Sequence, residues 1–435
     1  MNTISSFQTG ILRQISGGKA EFRKNDIVYG KIIDITGDRK AVIQIGGYKL
    51  NAVMDAPIHE SGQYWFQVKS FNLHDSMQLK VLQKAEEQAE TSAPPRFLFD
   101  ILKEAGINQT KNNVNHLYRL LQEQPGISRE NLQHTLQYLA GNSEKNDEKM
   151  MSSIDFALKN KLPLTPVILG SLYEVQDNET LFVQFKQLLK MISPLGEEHP
   201  LQSLKAALSS FITLDFSRES SSLGESLSIL QKRLGLKGEI SFLQQLGKGN
   251  ESHGNLPNHE ENLKLLLLSA SANQSDSAVK EKIDQLVLKL NGQALLDANQ
   301  GLTQHQFMQF PLNYGQFQSD LSIGWTSKKK ENGGIDPDYC RVLFYLKMNV
   351  LKDTMIDLHI QNRIMSLTIY NQFERYDSLI QKYGETLKET LKHQNYVLSS
   401  LRIERFHSAE NQHSQFLSQV MNRKHGAMQG VDIKI

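Results

Sequence analysis

Three residues of the kinds found in a hydrolytic triad lie close together in the sequence: Asp357, His359 and Ser366. Apolar and polar residues alternate over 356–360 and again over 365–369, a period typical of two β-strands. When the apolar positions are paired as a hairpin, His359 lies opposite Ser366, and Asp357 follows two residues along on the same face. Serine, histidine and a carboxylate in this arrangement are the nucleophile, base and orienting group of a hydrolase. The pairs that this register predicts are Ile360 with Met365, Leu358 with Leu367 and Ile356 with Ile369.

Other signs of a hydrolase are missing around this hairpin. No G-x-S-x-G turn and no glycine-rich oxyanion loop accompanies it. The apolar face of the hairpin is the one expected to be covered, so the three polar residues are expected on an exposed, flat surface. We interpret them as the solvated face of two strands and predict that the protein is not an enzyme. A hydrolase built on Ser366, His359 and Asp357 remains a competing hypothesis.

The other residues that could bind a metal or a phosphate lack the necessary spacing. Two histidine pairs have neither i,i+4 spacing nor a thiolate partner; they are His253 with His259 and His407 with His413. The run Gly247–Gly249 lacks a preceding strand and a third glycine. Cys340 lies at the start of a predicted strand, where a packing role is expected. The sequence therefore predicts no cofactor, no metal and no small-molecule substrate.

The charge balance and the single cysteine limit the class of protein. With 48 basic and 47 acidic residues, the chain has no overall attraction for nucleic acid or for an anionic membrane. One cysteine excludes an intrachain disulfide and indicates a reducing compartment. Residues 1–13 lack the basic and apolar regions of a secretory signal, and no apolar run approaches the roughly 20 residues of a membrane span. These features predict a cytoplasmic location.

Residues 303–406 carry the clearest structural pattern of the chain. Six runs with a period of two predict six strands, centred on 308–312, 321–325, 342–348, 356–360, 365–369 and 401–403. Between the last two strands the period changes to that of a helix, with apolar residues at Phe373, Tyr376, Leu379, Ile380, Tyr383, Leu387 and Leu391. A strand–helix–strand unit makes its two strands parallel. We predict a mixed sheet covered on one face by one long helix.

The rest of the chain predicts an α+β multidomain protein. Five short strands within 21–84 are typical of a small closed β-barrel, because closure removes exposed strand edges. Helical stripes dominate 96–302, which we interpret as a helical region with loops. The remaining segments are predicted to be a loose N-terminus (1–20), a linker (85–95) and a polar tail (407–435).

The small barrel leaves a second function open. Barrels of the oligonucleotide-binding type bind single strands through outward aromatic and basic side chains. The residues of this kind in the predicted barrel are Tyr48, Trp65, Lys31, Lys49 and Lys69. Aromatic residues of a small barrel are usually part of its core, so nucleic-acid binding is kept as the alternative function.

The C-terminal stretch resembles the C-terminal domain of flagellar hook-length control proteins. The resemblance is carried by Ile335–Asp338, the strand Val342–Met348, the hairpin Ile356–Ile369, the helix from Phe373 to about His393, and the strand Leu398–Glu404. That family has leucines at alternate positions of the long strand, then a proline, then Leu-Gly. Here Phe344, Leu346 and Leu351 match the apolar positions, while Met348 replaces the proline and Lys352 the glycine. The N-terminal barrel and the helices after it look like a Gram-positive-type branch of the family.

The resemblance implies a non-enzymatic protein that controls a flagellar type III export apparatus. In that family the C-terminal domain binds the cytoplasmic domain of the export-gate switch protein, which ends hook export and starts filament export. The protein would itself be cytoplasmic or exported through the apparatus. The polar hairpin face and the turn before it are the predicted contact surface; its residues are Asn349, Val350, Leu351, Lys352, Asp353, Asp357, His359 and Arg363.

Overall fold

The computed structural model of the protein describes most of the chain. The described residues are 22, 24–37, 39–45, 48–72, 76–84, 94–123, 126–127, 129–142, 147–160, 162–196, 201–214, 223–236, 262–297, 303–314, 317–329, 335–348, 350–372, 377–406 and 412–421. Predicted features outside them are the N-terminus 1–20, most of the linker, the tail beyond 421, Gly247–Gly249, Asn349, Phe373 and Tyr376 of the predicted helical stripe, and His253, His259 and His407. The chain divides into two compact units, Met1–Leu169 and Gly170–Ile435.

The first unit begins with a closed five-stranded barrel, as predicted. Its strands are β1 (Ile27–Gly37), β2 (Lys40–Ile45), β3 (Tyr48–Met54), β4 (Gln63–Asn72) and β5 (Ser76–Lys84). The order β2-β3-β5-β4-β1 is closed by pairing of β1 with β2, and the β3–β5 pair is parallel. The long strand β1 pairs with two neighbours: its first half pairs with β4 and its second half pairs with β2. Shifts in register along β1 bend it round the barrel.

Alternation along the strands fills the barrel with apolar side chains. The buried set includes Val28, Ile32, Ala41, Ile43, Ile45, Ala52, Met54, Phe66, Val68, Met77 and Leu79. Outside the barrel, Tyr29 and Trp65 are in ring contact, and Phe97 lies against Trp65. The helices of this unit are α1 (Arg96–Glu104), α2 (Lys111–Glu123), α3 (Arg129–Gly141) and α4 (Asp147–Lys159). A short strand, β6 (Gly126–Ile127), pairs with the start of β1.

The second unit consists of a helical layer and a sheet. Helix α5 (Pro166–Glu174) spans the division between the units, and it is followed by α6 (Leu181–Ile192), α7 (Leu201–Thr213), α8 (Leu223–Leu234), α9 (Leu263–Asn273) and α10 (Ser277–Leu296). Pro166 occupies the first turn of α5, where a missing N–H costs no hydrogen bond. Thr180 caps α6 by accepting a hydrogen bond from the amide of Val183. Within the described residues, no helix is long and apolar enough to cross a membrane.

The sheet contains the six strands that periodicity predicts. They are β7 (Thr303–Tyr314), β8 (Phe317–Lys329), β9 (Ile335–Met348), β10 (Lys352–Gln361), β11 (Ile364–Tyr370) and β12 (Val397–Glu404), in the order β12-β11-β10-β9-β8-β7. The predicted register of the β10–β11 hairpin is confirmed at all three apolar pairs. Helix α11 (Asp377–His393) connects β11 to β12, which are parallel as predicted. The sheet is therefore mixed, and a last helix, α12 (Gln412–Met421), follows it.

The apolar face of the sheet shares one core with the helices of the same unit. Phe310, Leu321, Ile323, Val342 and Ile360 are buried together with apolar residues of α6–α10. Helices α6, α7, α8 and α10 contact β7, whereas α11 contacts β12. Leu391 of α11 packs against this core, but Tyr383 and Leu387 of the predicted stripe are exposed. The sequence pattern thus identified the helix between the last two strands and missed the larger helical cover.

The free edge of β7 is closed by α10 and by a proline. The amide of Phe307 donates to Asp297 Oδ1 at 2.5 Å, and that of Gln309 donates to Gln293 Oε1 at 3.0 Å. The next position in this alternation is Pro311, which has no N–H to leave unpaired. Side-chain acceptors and proline therefore leave no free outward N–H at positions 307, 309 and 311, with which the middle of this edge strand would pair with another chain.

A buried carboxylate ties the start of α6 to the sheet. Asp320 of β8 accepts hydrogen bonds from the amides of Leu181 (2.5 Å) and Phe182 (3.1 Å), and from Gln309 Nε2 (2.7 Å). Lys289 of α10 is also buried, and its ammonium donates to the carbonyl oxygens of Asp177 and Glu179. Burial raises the pKa of Asp320 and lowers the pKa of Lys289, while their mutual attraction opposes both shifts.

Glycine at position 292 allows α10 to pack closely on α5. A Cβ atom there would lie 2.2 Å from the carbonyl oxygen of Ser171 and 2.6 Å from Val175 Cβ. At Gly170, within α5, a Cβ atom would meet only ordinary contact, at 3.7 Å from Leu288. Helix propensity alone favours alanine over glycine by about 1 kcal/mol at both positions.

We therefore expect Gly292→Ala and Gly170→Ala to change stability in opposite directions. Gly292→Ala should lower the free energy of unfolding by about 1–3 kcal/mol, because the added methyl group overlaps backbone of α5. Gly170→Ala should raise it by up to about 1 kcal/mol. Urea unfolding of both variants checks this, and a stabilised Gly292→Ala would contradict the close packing.

Candidate functional site

The turn between β9 and β10 presents an apolar side chain to solvent. Val350 is 72% exposed, the largest exposure among the apolar residues described as exposed. Leu351 is half-buried and Lys352 is exposed. Asn349, the first residue of the predicted contact surface, lies outside the described residues. An exposed valine at the tip of a turn is a feature of contact surfaces when the turn itself is held rigid.

Asn371, at the end of β11, holds this turn in place. Its side-chain NH2 group shares its two hydrogens among three acceptors: the carbonyl oxygen of Leu351 at 2.6 Å, that of Asp353 at 3.1 Å, and Thr354 Oγ1 at 2.5 Å. Asn371 is only 1% exposed, so water does not compete for these bonds. We name the turn 350–353 together with Asn371 the clamped turn.

A second clamp comes from β9. The Tyr345 hydroxyl donates to Asp353 Oδ1, and the ring of Tyr345 packs against Phe416 of α12 at 5.7 Å between centroids. Burial and the neighbouring Asp353 carboxylate raise the pKa of Tyr345, so the phenol remains the donor at neutral pH. The clamped turn is therefore fixed from the strands on both sides of β10.

Lys352 adopts a backbone conformation that favours glycine. Its φ is +53°, in the left-handed region where a Cβ atom costs about 1–2 kcal/mol. Glycine adopts this conformation without strain.

The predicted triad residues are adjacent, but they form an ion-pair cluster. His359 pairs with Ser366 in the register, and His359 Nε2 lies 3.1 Å from Asp357 Oδ1. Arg341 binds the same carboxylate through two hydrogen bonds, from Nε at 2.8 Å and from Nη2 at 2.7 Å. Asp357 is 7% exposed, so the prediction that this residue lies on an exposed, flat surface was wrong.

The cover over this face comes from α12, which the sequence placed within a polar tail. Phe416 of α12 contacts the ring of Phe307 at 6.3 Å between centroids, and Arg341 donates to Gln419 Oε1 at 3.1 Å. The bidentate bond from Arg341 explains Asp357 without catalysis, because it occupies both carboxylate oxygens. In a triad the carboxylate would instead have histidine as its main partner.

Arg363 lies at the opposite end of the hairpin from Val350. It occupies the β10–β11 turn, where its guanidinium bonds Asp338 at 3.1 Å and lies over the ring of Tyr396. The ten residues of β10 separate the two turns by about 30 Å. The predicted contact residues therefore form two groups, Val350–Asp353 at one end and Arg363 at the other, with Asp357 and His359 between them.

The structure also shows the surroundings of Cys340, for which a packing role was predicted, and of the aromatic and basic residues of the barrel. Cys340 is buried in the core under the sheet, and burial raises the pKa of its thiol to about 11. In the barrel, Trp65 is 1% exposed, while Tyr48, Lys31 and Lys49 are exposed. The described part of the chain contains no group of three or more His, Cys, Asp or Glu side chains able to hold a metal ion.

The residues that position the turn were not identified from the sequence. Asn371 and Tyr345 carry the clamps, yet an asparagine after a strand and a tyrosine within one have common structural roles. The only sequence signal available was the change of pattern at the end of β11, where the apolar alternation stops at Asn371. Arg341 alternates with apolar neighbours in β9, so nothing in the sequence indicated its bond to Asp357 either.

Comparison with known proteins gives a relative without an assigned function. The chain is 29% identical over 213 residues to an uncharacterised protein, YlqG, of Bacillus subtilis (strain 168). The match spans 48% of this chain and 35% of the relative, so the similarity covers about a third of the relative's length. No family model matches the chain. No solved structure matches it significantly.

The ion pair of Asp357 predicts a pH-dependent contribution to stability. Burial raises the pKa of Asp357, but the hydrogen bonds from His359 and Arg341 outweigh burial and lower it to about 2. A carboxyl group whose pKa is lower in the folded than in the unfolded chain stabilises the fold above its unfolded pKa. This contribution is lost as the pH falls through about 2.

Asp357→Asn should therefore lower the free energy of unfolding by about 2 kcal/mol at pH 7, and by much less near pH 2. Urea unfolding of the variant and the wild type at several pH values measures this difference. Glu389→Gln, on the exposed side of α11, is the control and should change stability by less than about 0.5 kcal/mol. A pH-independent loss in Asp357→Asn would mean that the charge is not responsible.

The backbone of the clamped turn gives another prediction. Lys352→Gly should raise the free energy of unfolding by about 0.5–1 kcal/mol, because relief of the left-handed strain exceeds the entropy that glycine adds to the unfolded chain. Lys328→Gly, at an exposed lysine within β8, is the matched control and should be destabilising. Equal losses in both variants, measured by thermal or urea unfolding, would contradict the strain at Lys352.

Proposed function

We propose that the protein is a non-enzymatic export-control protein whose C-terminal sheet binds a component of a type III export gate. Its partner in this proposal is the cytoplasmic domain of the flagellar export-gate switch protein, and binding controls the change of exported substrate. The protein acts in the cytoplasm, at the cytoplasmic side of the export apparatus. The observation that carries the proposal is the clamped turn with the exposed Val350 at its tip.

The clamps are what make this turn suitable for recognition. A contact loop that is already fixed loses little conformational entropy on binding, so more of the contact energy appears as affinity. Asn371 and Tyr345 fix the backbone and the carboxylate of the turn from two neighbouring strands. Val350 has no comparable role inside the protein, since most of its side chain is in solvent.

The resemblance supports the same turn as the contact. The family's Leu-Gly pair corresponds to Leu351 and Lys352, the two residues at the centre of the clamped turn. The positive φ of Lys352 is what a glycine at this position would provide. A motif that lies on an exposed turn, and not within the core, favours a binding role over a packing role.

Nucleic-acid binding by the barrel is the alternative function, and the aromatic residues do not favour it. Trp65 is almost fully buried and contacts Tyr29 and Phe97, so it offers no stacking surface for a base. The exposed candidates are Tyr48 with the lysines Lys31, Lys49 and Lys69. Catalysis at Ser366 is likewise disfavoured, because Asp357 is already paired with Arg341.

Val350→Asp should weaken binding to the purified export-gate cytoplasmic domain at least tenfold, because it places a charge at the centre of the contact. Folding should be unaffected, since Val350 is mostly in solvent. The matched control is Val397→Asp: Val397 is 61% exposed and pairs with Ile364 beside the distant β10–β11 turn. Isothermal titration with the wild type and both variants measures the affinities.

A parallel titration with single-stranded DNA at several salt concentrations separates the alternative. Nucleic-acid binding would show an affinity that falls steadily with salt, with no measurable binding of the gate domain. Equal gate affinities for Val350→Asp and the wild type would contradict the contact at the clamped turn. A loss of affinity for the gate domain in Val397→Asp alone would indicate that the contact lies at the other end of the sheet.

A further inference from the structure

A polar cavity lies on the face of the sheet that α12 covers. Its volume is about 250 Å³, and its walls come from the segment before α6, from β7–β10 and from the start of α12. The side chains at its base are Gln309, Asp320 and Ser322, which are all buried. Tyr345, Lys347 and Asp353 form the side nearest the clamped turn. The volume suits a small metabolite and is below that of pockets for drug-sized ligands.

The base of the cavity offers hydrogen-bond acceptors. Gln309 donates its Nε2 to Asp320, and the negative carboxylate fixes this orientation because a flipped amide would bring two acceptors together. Gln309 Oε1 is therefore an acceptor, and it is buried without a hydrogen-bond partner among the described residues. The same holds for Ser322 Oγ within the part of the chain that the structure describes. The Asp320 carboxylate beside them accepts three hydrogen bonds within the protein and can accept about one more. Together these groups call for a ligand that donates several hydrogen bonds.

The charged side chains around the cavity indicate which kind of hydrogen-bond donor would bind there. Asp320 at the base and Asp353 at the side are both acidic, and Lys289 stands behind Asp320 as its counter-charge. Lys347 lies opposite Asp353 in the register of β9 and β10, which places a cation on the open side. A primary ammonium group, which is compact, positively charged and has three N–H donors, fits the base of the cavity. Lys347 can bind a carboxylate group of the same ligand at the opening of the cavity.

We infer that this cavity binds a small primary ammonium compound, either a simple amine or a free amino acid, with the ammonium group on Gln309 Oε1, Ser322 Oγ and Asp320. Lys347 distinguishes the two sources, because only an amino acid carries a carboxylate for it. A ligand with so few atoms is expected to bind with a dissociation constant in the millimolar range. The site does not depend on partner recognition and is tested without the partner.

The test is a ligand-observed NMR titration of the full chain with three probes: methylammonium, glycine and tetramethylammonium chlorides. Methylammonium and glycine should bind saturably, whereas tetramethylammonium, which has the same charge and no N–H, should not. Ser322→Ala should weaken binding about tenfold or more, the effect of losing a hydrogen bond to a charged group. Ser327→Ala is the matched control, since Ser327 Oγ is equally buried and unbonded within the described protein but does not line the cavity.

The variant Lys347→Ala then shows whether the ligand is a simple amine or a free amino acid. Weaker binding of glycine alone assigns an amino acid, and unchanged binding of both probes assigns an amine. The proposal is overturned if neither amine binds saturably, if tetramethylammonium binds equally well, or if Ser322→Ala binds like the wild type. The cavity would then be a site for water alone. Unfolding midpoints of the variants confirm that each is folded, and removal of an unbonded hydroxyl should not lower them.

Discussion

The width of a six-stranded sheet decides the architecture of the second unit. Six strands about 4.8 Å apart span roughly 25–30 Å, whereas an α-helix with its side chains is about 10 Å across. Helix α11 contacts β12 at one margin and leaves Tyr383 and Leu387 exposed. Phe310, Leu321 and Ile323 are buried because α6, α7, α8 and α10 contact β7 and α6 also contacts β8. The sheet and the helices before it therefore have a single interior.

Covering β7 also required polar groups, because β7 is an edge strand. Apolar packing alone would leave the outward amides of Phe307 and Gln309 buried without acceptors, at a cost of about 1–3 kcal/mol each. Gln293 of α10 and Asp297, the residue that follows this helix, accept these two hydrogen bonds. Asp320 is buried, and the amides of α6, the Gln309 side chain and the Lys289 charge compensate the desolvation of its carboxylate. These directional bonds fix the positions of α6 and α10 relative to the sheet.

Periodicity predicted the elements well and their partners poorly. Strand alternation gave the five barrel strands, the six sheet strands and the register of Ile360 with Met365, because a period of two determines which face each residue occupies. It gave no information on which elements lie over those faces. Asp357 was therefore expected in solvent, although α12 and Arg341 cover it. The turn at 350–353 was predicted from a resemblance, whereas its clamp at Asn371 depends on a contact between residues far apart in the chain.

The clamped turn and the cavity share one residue, Asp353. Its backbone carbonyl accepts from Asn371, its carboxylate accepts from Tyr345, and its side chain lines the cavity. Tyr345, which donates to that carboxylate, lines the cavity as well, so the hydrogen bond that holds the Asp353 side chain lies in the cavity wall. The backbone of the turn is held separately, because Asn371 donates to the carbonyl oxygens of Leu351 and Asp353. Any effect of a bound ligand on the turn would therefore have to act through the Tyr345–Asp353 bond.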